Sequence, residues 1–229
     1  PQQPGLNLSH EVLEGLRKHD RTLNHPALGT HPSPSLEAQI ANIADEIAYY
    51  GHDLEDGLAS GLLLEKDLES LDLWKEASEK AFSESSGLLA SAGPRTHRKF
   101  IIRCLINREV EDLVSTSGEA IRSSGVSSVD DVRRHPVKLI GYSLELKSRN
   151  AELRRHLYAN FYHHPEVQGT NETACRQMES VYADLVNNPA HLGSRSLTRL
   201  EGVGLHRVVA DYVAGMTDSY LRSRFEALS

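Results

Sequence analysis

The feature that most constrains this chain is the period of its apolar residues. Along nearly its whole length they recur every three to four positions, and no stretch sustains a two-residue alternation. A period near 3.6 lays an apolar stripe along one side of a helix, whereas a period of two lines one face of a strand. The pattern therefore specifies helices and no central sheet. The expected architecture is a single all-α region over 1–229, without internal repeats.

Local signals divide that region. Ser9 is placed to cap a helix over 9–19 that carries Val12, Leu13 and Leu16. Residues 21–35 hold three prolines and a glycine and read as a loop. Ser35 caps the next helix, Glu37 suits its positive end, and the helix runs to about Tyr50 or beyond, with Gly51 a tolerated interruption. Residues 54–70 and 71–84 read as further leucine-dense helices with Trp74 in the core, and 83–94 as a surface loop. A long amphipathic helix is predicted over 95–117, with Ile101, Ile102, Leu105, Ile106, Val110 and Leu113 on its inner face. Residues 115–136, rich in Ser, Gly, Asp and Arg, read as mostly irregular. Helices over 143–163, 166–188, 194–202 and 204–227 complete the set.

A net charge of -7 supplies no basic field, so neither nucleic acid nor an anionic membrane is an expected partner. A nucleotide-binding protein of this charge must concentrate its Lys and Arg locally. Cys104 and Cys175 are the only cysteines, too few for a disulfide framework, and a reducing cytoplasm suits them. No apolar run reaches the length of a membrane span, and the chain opens at Pro1 without a charged-then-apolar leader.

Chemistry concentrates in residues 36–58. On a helical wheel Ile40, Ile43, Ile47, Leu54 and Leu58 gather on one side. Asp45, Tyr49, His52, Asp53 and Asp56 gather on the other. Positions 45, 49 and 53 stack carboxylate, phenol and carboxylate over two turns. A solvated acidic face would look similar, but such faces usually mix in cations, and residues 35–65 contain neither Lys nor Arg. Acids this close repel one another unless a cation or a hydrogen-bonding ligand lies among them, and a divalent metal with a polar ligand would meet that need.

The run from Pro34 to Leu58, centred on Ala44-Asp45-Glu46-Ile47-Ala48-Tyr49 and continuing to Asp53, is very similar to the signature helix of the bacterial dGTPase-like proteins of the HD superfamily. Three further segments resemble that family: Pro4 to His19, Phe161 to Pro165, and Ala210 to Tyr220. The resemblance covers nearly the whole chain and implies a multi-helix bundle of the HD-superfamily type, part of a larger helical domain. It also implies hydrolysis of a deoxynucleoside triphosphate, dGTP preferred, to the deoxynucleoside and inorganic triphosphate. By resemblance Asp45 corresponds to the last of the family's metal ligands, Tyr49 to a nucleotide contact, and Asp53 to the residue that reads the sugar 3′-hydroxyl. The cofactor so implied is a divalent metal such as Mg²⁺ or Mn²⁺. The family's first His and its His-Asp pair should lie before the Pro4 segment, and His19-Asp20 and His52-Asp53 lack their flanking residues. The other ligands are therefore expected from a region or chain outside this sequence, and this chain alone is expected to be inactive.

Phosphate release calls for local positive charge. The densest basic stretch holds Arg95, Arg98, Lys99 and Arg103, which fall on roughly one side of a helix. They are candidates for a substrate or effector-nucleotide phosphate; a solvent-facing helix start paired with nearby acids is the alternative. Arg154 and Arg155 read as surface, His163-His164 as a helix-dipole complement, and Asp211 and Tyr212 as packing or oligomer contacts. Self-association is expected from the resemblance. The competing functional reading is a non-catalytic module for oligomerisation or nucleotide sensing, without a complete metal site.

Overall fold

A computed structural model of the protein describes residues 6–16, 33–85 and 93–228. Among these residues every regular element is helical. The chain forms two compact units, Pro1–Phe161 and Tyr162–Ser229.

In the first unit the opening helix, α1, is His10–Leu16, and Ser9 Oγ accepts from the Val12 N–H at 3.5 Å. The loop expected over 21–35 lies, but for its last three residues, outside the described residues. Helix α2 is Leu36–Ser60, started by Ser35, whose Oγ accepts from the Ala38 N–H at 3.3 Å. It absorbs residues 54–60, which the sequence assigned to a separate helix, and ends at Gly61, whose φ of 79° suits glycine. Gly51 is more than a tolerated interruption. A Cβ there would stand 2.8 Å from Ile106 Cδ1, and one at Gly57 would stand 2.4 Å from Leu63 Cδ1. Each glycine admits a neighbouring side chain against the helix backbone.

Helices α3 (Glu65–Leu68) and α4 (Asp72–Glu84) follow, then α5, Pro94–Ser124. Trp74 on α4 is buried together with Leu68, Leu73, Leu105, Leu146 and Leu153. Helix α5 continues through the stretch read as irregular because Ser117 there points inward. Its Oγ accepts from the Gly141 N–H at 3.1 Å and lies 3.3 Å from the Gly141 carbonyl. The same stretch hides helix α6, Val129–Arg134, capped by Ser128. Val110 and Ile40, expected inside, are 42% and 48% exposed. On α5 the inward position beside Val110 is taken by Glu109, which is fully buried. Helix α7, Leu144–Leu157, is capped by Ser143, itself held by Asp112, which accepts from its N–H at 2.8 Å and its hydroxyl at 2.7 Å.

Gln39 ties the start of α2 to the segment before α7. Its Nε2 donates to the Pro34 carbonyl at 2.8 Å, and its Oε1 accepts from the backbone N–H groups of Leu139 at 3.0 Å and Ile140 at 3.2 Å. Both N–H groups are buried, so this one amide satisfies backbone donors that no water reaches.

The chain continues through a π-helical turn, Tyr158–Tyr162. In the second unit α8 is Pro165–Asn187 and His164 caps it, its Nδ1 accepting from the Glu166 N–H at 3.3 Å. That histidine therefore serves a helix start rather than the helix end expected for it. The predicted helices 194–202 and 204–227 are each divided, into α9 (Ser194–Leu197), α10 (Leu200–Val203), α11 (Leu205–Ala214) and α12 (Asp218–Glu226). Thr217 Oγ1 accepts from the Tyr220 N–H and starts α12 afresh, a capping bond that competes with helix continuation. Val181, Leu185, Leu192, Val208, Val209 and Leu221 form this unit's core.

Gln39→Ala is expected to strand the Leu139 and Ile140 N–H groups and lower unfolding stability by about 3 kcal/mol. Urea denaturation followed by far-UV circular dichroism measures this; a loss below about 1 kcal/mol would show that the amide is not the clamp described.

Candidate functional site

The stripe predicted on residues 36–58 exists as an open face. Asp45, Tyr49, His52 and Asp56 are exposed and Asp53 is half-buried, while Ile47, Leu54 and Leu58 are buried on the opposite side. Asp45 and Asp53 lie about 12 Å apart along the helix at 1.5 Å per residue. The N-terminal half of α2 also forms one wall of a cleft of about 720 Å³. Val12 and Leu16 of α1, Ala38, Asn42 and Asp45 of α2, and Val129 of α6 line it, and Asp45 is the last α2 residue to reach it. Helix α1 is fixed there by an ion pair with α6. Arg133 NH2 donates to Glu14 Oε2 at 2.9 Å and Arg133 Nε at 3.2 Å, with both side chains largely buried.

Behind the open face stand Glu46 and Tyr50, each one residue after a member of the stripe. The Tyr50 hydroxyl donates to Glu46 Oε1 at 3.2 Å. Burial, and then the Glu46 charge, push the Tyr50 phenol up to about 12. The Tyr142 phenol is raised further still, by burial first and then by the nearby charges of Glu109 and Glu46. The Glu109 carboxyl is pushed up to about 8, overwhelmingly by burial. These groups had not been foreseen. Glu109 could have been, since 105, 109 and 113 fall on one stripe of α5 and the flanking leucines are buried.

The basic set is only partly assembled. Arg95, Arg98 and Lys99 line a pocket of about 290 Å³ with Glu55, Leu58 and Ile102. Arg103 lies apart, beside Glu84, Phe100, Cys104 and Asn107. Arg98 Nε meets Glu65 at 2.9 Å and Lys99 Nζ meets Glu55 at 2.7 Å. The Lys99 bond holds the Glu55 carboxyl below its usual range. Glu55 follows Asp45 by ten residues, so this pocket sits about 15 Å along α2 from Asp45. Arg154, read as surface, sits 5.5 Å over the Tyr158 ring.

Among the described residues no group of three or more His, Cys, Asp or Glu side chains is arranged to hold a metal ion. No described helix is long and apolar enough to cross a membrane. In the second unit Asp211 is clasped by Arg199 at 2.6 Å and Arg207 at 2.9 Å, and the Arg199 bond leads in holding its carboxyl below the usual range. Tyr212 and Tyr220 share a hydroxyl hydrogen bond of 3.2 Å. Both contacts lie within that unit.

Residues 140–227 match the family described as "Phosphohydrolase-associated domain". The chain is 38% identical over 230 residues to the deoxyguanosinetriphosphate triphosphohydrolase-like protein of Geobacter sulfurreducens, covering 98% of this chain and 58% of that protein. It is 38% identical to a like-named protein 1 of Deinococcus radiodurans, over 99% of this chain and 59% of that one. It is 36% identical to that of Nitrosomonas europaea, over 98% and 60%. The chain thus spans just under three fifths of the length of the Geobacter and Deinococcus relatives.

Arg98→Ala and Lys99→Ala are each expected to change unfolding stability by less than about 1 kcal/mol, because half-exposed ion pairs contribute little. Arg133→Ala leaves Glu14 unpaired in a largely buried place and is expected to cost about 3 kcal/mol. Equal losses at all three positions, measured by urea denaturation, would contradict that ranking.

Proposed function

Because the chain is homologous over nearly its whole length to dGTPase-like proteins, we propose that it takes part in hydrolysing deoxynucleoside triphosphates, dGTP by preference, to deoxynucleoside and inorganic triphosphate. The observation that carries this reading is the open face of α2, with Asp45, Tyr49 and Asp53 in register along one side of the helix. Asp53 accepts a hydrogen bond from the sugar 3′-hydroxyl. Tyr49 lays its ring along the deoxyribose, where a 2′-hydroxyl would be crowded. The preference for a deoxyribose follows from that pairing.

Asp45 provides one carboxylate to a divalent metal such as Mg²⁺ or Mn²⁺. One carboxylate does not make a binding site for such an ion, and the described residues do not complete one. The remaining ligands come from a region or a subunit outside this sequence. Arg95, Arg98 and Lys99 reach a substrate or effector phosphate by exchanging Glu55 and Glu65 for it, a trade that weak ion pairs permit. Arg103, on its separate surface, would contact a different part of such a ligand or a second copy of the chain. A homo-oligomer in the cytoplasm completes the proposal. The second reading, a non-catalytic nucleotide-sensing or oligomerisation module, needs only the gripping face of α2 and no metal shell.

The test is release of inorganic triphosphate from each dNTP, with and without Mn²⁺ or Mg²⁺, by this chain and by a longer protein that carries it. The 229-residue chain is expected to show little or no turnover. In the longer protein Asp45→Ala is expected to abolish it, and full activity in that variant would refute the assignment. Asp53→Ala is expected to raise KM roughly 10- to 100-fold through loss of one charge-assisted hydrogen bond. Nucleotide binding without hydrolysis in every form would favour the sensing module.

A further inference from the structure

The side of α2 turned away from the open face meets a buried polar cluster. Glu109 of α5 is fully buried and Asn150 of α7 is 5% exposed. Neither Glu109 oxygen and neither polar atom of the Asn150 amide makes a well-formed hydrogen bond among the described residues, and the Tyr142 hydroxyl is likewise buried without one. Asn150 is near enough to draw the Glu109 carboxyl down a little, but burial dominates. Glu46 and Tyr50 face the cluster from α2, Tyr142 from the segment before α7, and Asn150 from α7. Asp112, on the same helix as Glu109, acts on Tyr142. Arg154 acts on Tyr50, whereas the charge felt by Glu109 is that of Glu46, of like sign.

We propose that Glu109 is a neutral carboxylic acid that hydrogen-bonds within this cluster and thereby fixes the rotation of α2 about its axis, making it a positioning residue for Asp45 and Tyr49. An ionised carboxylate here would have two buried, unpaired oxygens and a like charge beside it. A neutral acid has one O–H to donate, and the Glu46 carboxylate, the Asn150 carbonyl and the Tyr142 oxygen can accept it. Glu46 and Tyr50 follow Asp45 and Tyr49 by one residue, a turn of about 100°. Whatever holds the first pair therefore sets the direction of the second. The importance of that direction rests on the function proposed above; the protonation and the restraint do not.

The pH dependence follows from the raised carboxyl. Its value rises from an ordinary 4.5 to about 8 in the folded protein. The stability it contributes is complete below 4.5 and is lost as pH rises through about 8. The experiment uses the 229-residue protein without nucleotide. Infrared spectra in D₂O at pH 7 should show the carbonyl stretch of a protonated carboxylic acid, fading through pH ~8 and absent from Glu109→Gln. Hydrogen exchange of the α2 amides, corrected for the chemical rate, should accelerate above that pH in the wild type but not in Glu109→Gln. Glu109→Ala should lose the protection already at neutral pH. No protonated-acid band at neutral pH, or identical α2 protection in wild type and Glu109→Gln on both sides of the transition, would overturn the proposal. If Glu109→Gln does not fold, the wild-type spectra and exchange decide alone. Neither readout involves a nucleotide, so a failed dNTP assay and a failed proposal are told apart.

Discussion

The close approach of α2 and α5 at Gly51 governs the first unit. A helix of 25 residues can present a fixed face only if its rotation and its height are both held, and here the missing Cβ lets Ile106 press onto the α2 backbone. Gly57 does the same for Leu63, which folds back over the last turn and donates its N–H to the Gly57 carbonyl at 2.9 Å. At the other end Gln39 joins the first turn to Leu139 and Ile140. These glycine contacts and the Gln39 amide hold α2 at both ends and in its middle.

Ion pairs tie the helices of this unit to one another. Cations from α5, α6 and α7 reach across to acids on other elements: Arg98 to Glu65, Lys99 to Glu55, Arg108 and Arg149 to Glu76, Arg133 to Glu14. Most of these pairs are partly exposed, so they set register more than they add stability. The Arg133–Glu14 pair is the exception because it is largely buried, and it holds the short helix α1 that walls the cleft ending at Asp45.

Residues 115–136 looked irregular because serine, glycine and aspartate favour turns in isolation. There Ser117 spends its hydroxyl on Gly141 inside the protein and Ser128 spends its own on a helix cap, and both are compatible with helix. In the second unit apolar periodicity carries across helix breaks because both sides of a break serve one core, so the sequence alone predicts two helices where four stand. Val208 and Leu221 serve that core from α11 and α12. Positions 95, 98, 99 and 103 lie near one another on a helical wheel, yet Arg98 and Lys99 meet acids of α3 and α2 while Arg103 lines a different pocket.

By itself the sequence determined that the chain is helical, that Ser9 and Ser35 start helices, and that Asp45, Tyr49 and Asp53 share one face. These follow from backbone periodicity and from hydrogen bonds between residues three apart, which need no distant partner. Only the tertiary structure decided that this face stays open, that Gly51 and Gly57 are points of contact, and that Glu109 lies buried behind Glu46 and Tyr50. Burial of a carboxyl depends on which helix covers it, and the covering residues lie tens of positions away in the chain. A local pattern specifies a face, but the chemistry of that face depends on what packs against its back.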